Sequence, residues 1–268
     1  MRKKFVYISG ATGGLGRAFC FDLAKNNKNL FLTATKLERL NALKTEIQSI
    51  YKNINVVCCE CDMSSAESRQ SLFNFIKCNN YKFDMVINNA GYITEGAVVS
   101  ESADSLIQAV RVNCEGVVDV TKFFVDNHNA CDKLNIVTVS SLAAIYPMPY
   151  MGIYAATKSF LLSFMTALRE EVKDKNIIVS TVLPSGIYTT QAMKDAIASQ
   201  GLGGKLSSHS PEYIASYTLR KAYKGKTIIV PGMFNRFTKF VSNFASYTAL
   251  AKITGKRWKK SQKKRNMI

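Results

Sequence analysis

Tyr154 and Lys158 stand four residues apart in Tyr154-Ala155-Ala156-Thr157-Lys158. On a helix that spacing puts both side chains on one face. A free phenol has a pKa of about 10 and is a poor base near neutrality, and a neighbouring cation favours its ionised form. The pair therefore suits proton exchange with a substrate oxygen. Taken singly, Tyr154 reads as a packed aromatic and Lys158 as a solvated charge. A second chemical feature lies near the start of the chain, in Ser9-Gly10-Ala11-Thr12-Gly13-Gly14-Leu15-Gly16. Glycines there let the backbone approach a pyrophosphate, and a following helix supplies free N–H groups and the positive end of its dipole.

These residues need a frame. Runs rich in β-branched and aromatic residues at 5–9, 30–34, 56–60, 85–88, 136–140, 177–183 and 227–230 read as strands. Helical spacing fills 14–27, 37–51, 66–77, 102–127, 150–172 and 211–223. Strands separated by helices pair in parallel, and near-continuous apolar strands are covered on both faces. The expected fold is α/β: a Rossmann-like, doubly wound, seven-stranded parallel sheet with helices on both faces. Ligands in such a sheet bind beyond the carboxyl ends of the strands.

Those strand ends carry a series of motifs. Gly10, Gly14 and Gly16 follow the first strand, Asp62 the third, and Asn88-Asn89-Ala90-Gly91 the fourth; Asn113 lies in the long fourth helix. Ser140-Ser141 follows the fifth strand, and Tyr154 comes thirteen residues after Ser141. In this order and spacing the chain resembles the short-chain dehydrogenase/reductase family over residues 3–231. The resemblance implies a catalytic set of Asn113, Ser141, Tyr154 and Lys158. Tyr154 would exchange a proton with the substrate oxygen, Ser141 would hold that oxygen, Lys158 would bond the nicotinamide ribose, and Asn113 would position a water. It also implies a dinucleotide held by Gly10, Thr12, Gly13, Gly14, Leu15, Gly16, Asp62, Met63, Asn89, Ala90, Gly91, Tyr154, Lys158, Pro184, Gly186 and Thr189. In Pro184-Ser185-Gly186-Ile187-Tyr188-Thr189 the glycine falls one place later than the family pattern.

The second strand ends in Thr33-Ala34-Thr35-Lys36-Leu37, without an acid to bind the adenosine ribose. Thr35 and Lys36, with help from Arg17, suit a 2′-phosphate, which favours NADP(H) over the alternative, NAD(H). Tyr146, Tyr150, Tyr188 and Met193, with Ser141, are the candidate substrate wall. Their apolar character points to a bulky hydrophobic alcohol or ketone, and a helix followed by a flexible turn at Gly201, Gly203 and Gly204 would make a lid. The expected activity is hydride transfer between a nicotinamide and an alcohol or ketone, as in a carbonyl reductase. The alternatives are a hydroxysteroid dehydrogenase working mainly in the oxidising direction and a non-catalytic NADP(H) sensor or scaffold.

The net charge of +17 is concentrated at one end. From Arg220 onward there are fourteen Lys or Arg and no acid, so the preceding 219 residues carry only +3. The chain divides into a catalytic domain, 1–231, and a basic amphipathic extension, 232–268. Phe234, Phe237, Val241, Phe244, Thr248 and Ala251 recur at helical spacing, and the basic runs Lys256-Arg257-Trp258-Lys259-Lys260 and Lys263-Lys264-Arg265 follow. This extension suits an anionic membrane surface, or a subunit contact or flap over the substrate opening; nucleic-acid binding lacks any recognised module. Seven cysteines without a disulfide framework fit a reducing, cytoplasmic setting, peripheral to a membrane if the tail docks there. Cys58, Cys59 and Cys61 lie on a strand whose neighbouring side chains point to opposite faces, so no metal is expected. The run 5–8 behind Met1-Arg2-Lys3-Lys4 is too short for a signal peptide, and no run of about 18 apolar residues occurs to span a membrane. A homodimer or homotetramer is expected from the family resemblance.

Overall fold

In the computed structural model residues 4–189 and 191–264 are described, so Arg2, Lys3 and Arg265 of the basic runs lie outside the described residues. Strand and helix alternate through β1 (Lys4–Ser9), α1 (Gly14–Lys25), β2 (Asn29–Ala34), α2 (Leu37–Ile50), β3 (Val56–Glu60), α3 (Ala66–Cys78) and β4 (Lys82–Asn88). The chain continues through α4 (Ala103–Val110), α5 (Gly116–Asp126), β5 (Leu134–Val139), α6 (Gly152–Glu171) and β6 (Ile177–Val182). It ends with α7 (Gln191–Ser199), α8 (Gly201–Ser207), α9 (Pro211–Tyr223), β7 (Ile228–Ile229), α10 (Met233–Ser242) and α11 (Tyr247–Lys264). The strands form one parallel sheet in the order β3-β2-β1-β4-β5-β6-β7. The winding reverses between β1 and β4, which opens a crevice at their carboxyl ends.

Alternation along each strand sorts the core into two layers. Val6, Ile8, Leu30, Leu32, Ile87 and Val137 pack with α1, α2 and α9 through Phe19, Leu23, Leu40, Ile47 and Leu219. Phe5, Tyr7, Phe31, Val86, Ile136 and Val179 pack with α3, α5 and α6 through Leu72, Val120, Phe124, Leu161 and Met165. Cys58 faces the first layer and Cys59 and Cys61 the second. Arg69 of α3 is buried in the second layer. It donates to Asp119 at 2.6 Å, to Glu115 at 2.5 Å and to the Met63 carbonyl at 2.7 Å, clamping α3 to the start of α5.

Four local expectations are corrected. The helix expected over 102–127 is interrupted by a π-helical turn, Arg111–Glu115, between α4 and α5. Such turns often mark functional positions, and this one carries Asn113, whose side chain bonds outside its own helix. The helix expected from 150 starts at Gly152, because Tyr150 is left-handed with φ of +69°. The glycines at 201–204 form α8 rather than a flexible turn. Gly204 packs so tightly on α7 that a Cβ would overlap the Ile197 carbonyl. The tail forms two helices rather than one: α10 ends at Ser242, and Ser246 accepts from the Ala249 N–H at the start of α11.

Candidate active site

The crevice between β1 and β4 is a cleft of about 620 Å³. One end is built by the turn from β1 into α1. Gly10 has φ of +62°, and a Cβ there would come within 2.8 Å of Ala90 Cα. At Gly16 a Cβ would overlap the Gly10 carbonyl oxygen. The N-cap of α1 is Gly13, so no side chain caps the first-turn N–H groups. Gly13, Gly14 and Leu15 line the cleft, which leaves those donors available to a phosphate. The donor set and the bare backbone fit a dinucleotide pyrophosphate. Asn89 holds this loop in place by donating to the Ser9 and Gly10 carbonyls, each at 3.0 Å. The buried Ser9 hydroxyl accepts from the Asn89 and Ala90 N–H groups at 3.0 Å. Sequence reasoning passed over Ser9 as a site residue; its place on the last strand position before the glycines was the available signal.

Ala34, Thr35, Cys61, Asp62 and Met63 line the cleft at the carboxyl ends of β2 and β3. The Asp62 carboxylate accepts from the Ser64 N–H at 2.8 Å and from its hydroxyl at 2.7 Å. Lys36 is exposed at the N-cap of α2 and outside the cleft lining. Arg17 is engaged elsewhere, its Nη2 donating to both carboxylate oxygens of Glu46 at 2.7 and 2.9 Å. Glu60, paired in register with Ala34, accepts from the Leu37 N–H at 3.0 Å. A carboxylate therefore already occupies the N-terminus of α2, a feature invisible in the sequence because β2 and β3 meet only through the sheet.

The same cleft gathers Ser141, Tyr154 and Lys158 with Asn89, Ala90, Gly91, Pro184 and Thr189. Lys158 is buried, donates to the Val139 carbonyl at 2.9 Å, and sits 5.7 Å from the Tyr154 ring centroid. Burial pulls its pKa down to about 8, with the Cys114 thiol opposing. Burial raises the Tyr154 phenol above its ordinary value, and a hydrogen bond with Ser141 lowers it again. Ser140 donates to the Lys158 carbonyl at 2.8 Å, while the Ser141 hydroxyl accepts from the Ala143 N–H at 3.1 Å and reaches the Pro184 carbonyl at 3.4 Å. Asn113 is fully buried: its Oδ1 accepts from Tyr92 N–H at 2.8 Å, and its Nδ2 donates to the Tyr92 carbonyl at 2.8 Å and to Thr157 at 3.0 Å. Gly91 lies beside both groups: a Cβ there would stand 3.5 Å from Asn113 Oδ1 and from Lys158 Nζ. Any larger side chain would crowd the lysine.

The substrate side is only partly as expected. Met193 reaches the cleft, together with Tyr92, Ile93, Gln108 and Val112, which sequence reasoning missed although Val112 adjoins Asn113. Tyr146, Tyr150 and Tyr188 are not part of the lining. Tyr146 is close enough to Arg257 of α11 to feel its charge. The Tyr150 carbonyl accepts from the Gly96 N–H at 2.9 Å. Tyr188 lies over a neighbouring groove, with its hydroxyl 3.5 Å from the Lys205 carbonyl. Gly186 also turns from the cleft lining toward α7 and the 208–209 strip: its carbonyl accepts from His209 N–H at 3.1 Å, and a Cβ would overlap Ser208. Thr189 packs against Gly14, joining the chain after β6 to the glycine loop.

Residues 4–200 match the family model described as short chain dehydrogenase. Human 17-beta-hydroxysteroid dehydrogenase type 3 is 26% identical over 189 residues, covering 69% of this chain and 60% of the relative. The very-long-chain 3-oxoacyl-CoA reductase of Bos taurus is 26% identical over 195 residues, covering 70% and 61%. The chain thus spans about three fifths of the length of these curated relatives. A solved structure reported for insights into 7beta-hydroxysteroid dehydrogenase stereoselectivity superposes with a TM-score of 0.82 at 19% identity, covering 94% of this chain and 96% of that chain. With residues 4–200 matched, the chain belongs to the short chain dehydrogenase family.

Proposed function

We propose that this protein is an oxidoreductase that transfers a hydride between NADP(H) and a bulky, apolar alcohol or ketone. The observation that carries the reading is the meeting of Ser141, Tyr154 and a desolvated Lys158 in the cleft that the uncapped glycine loop also lines. The nicotinamide supplies or accepts the hydride when bound. In the reducing direction Tyr154 donates its phenolic proton to the substrate oxygen, and Ser141 Oγ donates a hydrogen bond to the same atom. Lys158, fixed by the Val139 carbonyl, holds positive charge against the Tyr154 ring and stabilises the phenolate that remains. Asn113 holds the Tyr92 backbone and Thr157 in place, and so sets the wall facing Lys158.

An apolar substrate is supported by Ile93, Val112, Ile187 and Met193 in the cleft lining, and by likeness to relatives named for steroid and very-long-chain acyl substrates. The preference for NADP(H) rests on Thr35 and Lys36 and on the lack of an acid ending β2. Glu60 on the Leu37 N–H favours the second reading, NAD(H), because a 2′-phosphate would have to displace a carboxylate there. The proposal takes residues 1–231 as the catalytic unit and 232–268 as its extension, in a cytoplasmic homodimer or homotetramer.

The test is thermal melting with NADPH and with NADH. A ligand at about 100 times its dissociation constant stabilises the folded state by roughly 3 kcal/mol. Stronger protection by NADPH supports the reading; protection by neither removes it. Tyr154→Phe should then abolish ketone turnover while leaving that protection in place. If turnover persists, Tyr154 is not the proton donor.

A further inference from the structure

The helix α10 is built inside out. Its buried residue is the polar Asn235, which donates to the Ser207 and Pro231 carbonyls at 2.8 and 2.9 Å. Thr238 and Ser242 share that side of the helix. Met233, Phe234, Phe237, Phe240, Val241 and Phe244 face outward; Phe237 is 63% exposed, Met233 78% and Phe244 77%. At 100° per residue the five within α10 fall within an arc of roughly 120°, and Phe244 follows just past its end. Leu202 and Leu206 of the adjoining α8 are exposed as well. A helix that turns its aromatic face away from its own protein needs an apolar partner there.

The charge around this face selects the partner. Four residues separate α10 from α11, which packs its inner side on α7 and on the segment at Pro147. Thr254 donates to the Pro147 carbonyl at 2.8 Å, Ser261 meets Ser199 of α7 at 2.5 Å, and Arg257 donates to Gln200 at 2.8 Å. Its outer side carries Lys252, Lys256, Lys259, Lys260 and Lys263, four of which line one shallow cleft. Residues 213–268 contain no Asp or Glu. A second copy docked face to face would bring like charge against like charge, with no acid from this region to offset it. An anionic phospholipid surface supplies both an apolar layer for the phenylalanines and negative headgroups for the lysines. Among the described residues no helix is long and apolar enough to cross a membrane.

We infer that α10 and α11 dock the protein on anionic bilayers, with the aromatic face of α10 in the interface and the lysines of α11 on the headgroups. Because α11 packs on α7, which carries the cleft residue Met193, the docked face adjoins the route by which an apolar substrate enters, a consequence that rests on the function proposed above.

The experiment is co-sedimentation of the full chain with phosphatidylcholine vesicles, with and without phosphatidylserine, at low and high salt. Binding is expected only with phosphatidylserine at low salt. Lys256→Gln with Lys260→Gln should weaken partition roughly 25-fold, about fivefold for each lysine. Phe237→Glu with Phe244→Glu should abolish it, while the melting temperature and NADPH protection stay at their wild-type values. That last control separates failure of docking from failure of the oxidoreductase reading. Absence of binding to anionic vesicles at low salt overturns the inference, as does binding untouched by the phenylalanine substitutions. A lipid-free oligomer that dissociates in the phenylalanine variant also overturns it, by assigning the face to a second copy.

Discussion

Lys158→Met isolates the energetic cost of the catalytic cation. Lys158 is buried, and its pKa falls from an ordinary 10.5 to about 8 because charge is disfavoured there. At pH 7 the folded protein keeps the lysine protonated, so that difference opposes folding by roughly 3 kcal/mol. The sign follows from proton counting. Between pH 8 and 10.5 the unfolded chain binds more protons at this site than the folded one, so stability gains from the site as pH rises through that window. Methionine removes the charge and keeps most of the stem. It forfeits the 2.9 Å bond from the charged ammonium to the Val139 carbonyl, worth about 1.5 kcal/mol. The variant should therefore be more stable than wild type by roughly 2 kcal/mol at pH 7, raising Tm by about 4 °C for a chain of this length. Turnover should be lost, since stability and activity oppose each other at such sites. Thermal melts of both proteins at pH 7 and pH 10 read the effect, and the gap should close at the higher pH. A variant less stable than wild type at pH 7, or a gap indifferent to pH, refutes the reasoning.

Three further outcomes follow from other contacts. Gly16→Ala forces a Cβ onto the Gly10 carbonyl oxygen, so NADPH should no longer raise Tm; this is checked on variant protein whose circular dichroism is native. Arg69→Ala strips the clamp from Glu115, Asp119 and the Met63 carbonyl and should cost about 2–3 kcal/mol, read from urea unfolding. Its carboxylate partners are half-exposed and stay solvated, so a loss above about 5 kcal/mol would contradict this account. Glu60→Gln removes the carboxylate from the Leu37 N–H and should shift relative affinity toward NADPH by roughly threefold to fivefold, measured by fluorescence titration of both cofactors.

Legibility in the sequence tracked the range of the interaction. The strands and their layers follow from alternation: Val6 and Ile8 go to one face and Phe5 and Tyr7 to the other, as a period of two requires. The cleft followed too, because short connections bring each motif to a strand end, and the winding reversal places β1 beside β4. What alternation and spacing could not express were contacts between segments far apart in the chain. The π turn at Arg111–Glu115 is tied to Asn113 reaching the backbone of Tyr92 and the hydroxyl of Thr157. Arg17 read as a phosphate ligand because it follows Gly16, yet Glu46 of α2 holds it.

The tail shows the limit most directly. Periodicity recovered the apolar face of α10, but an amphipathic pattern does not say which face the protein keeps. Ordinary burial would turn Phe237 and Phe240 inward, whereas the polar strip through Asn235 is what the body receives. Asn235 can take that place because the Ser207 and Pro231 carbonyls give its Nδ2 two acceptors, which offsets the burial of an Oδ1 that has no partner. The same docking uses up the surface that the phenylalanines would otherwise cover. The orientation of α10 is thus set by two backbone carbonyls about thirty residues and four residues away in the chain. A helix oriented by acceptors on its own body leaves its hydrophobic face to whatever lies outside, which is why an amphipathic pattern that fitted a membrane surface, a subunit contact or a flap ends as a surface for docking.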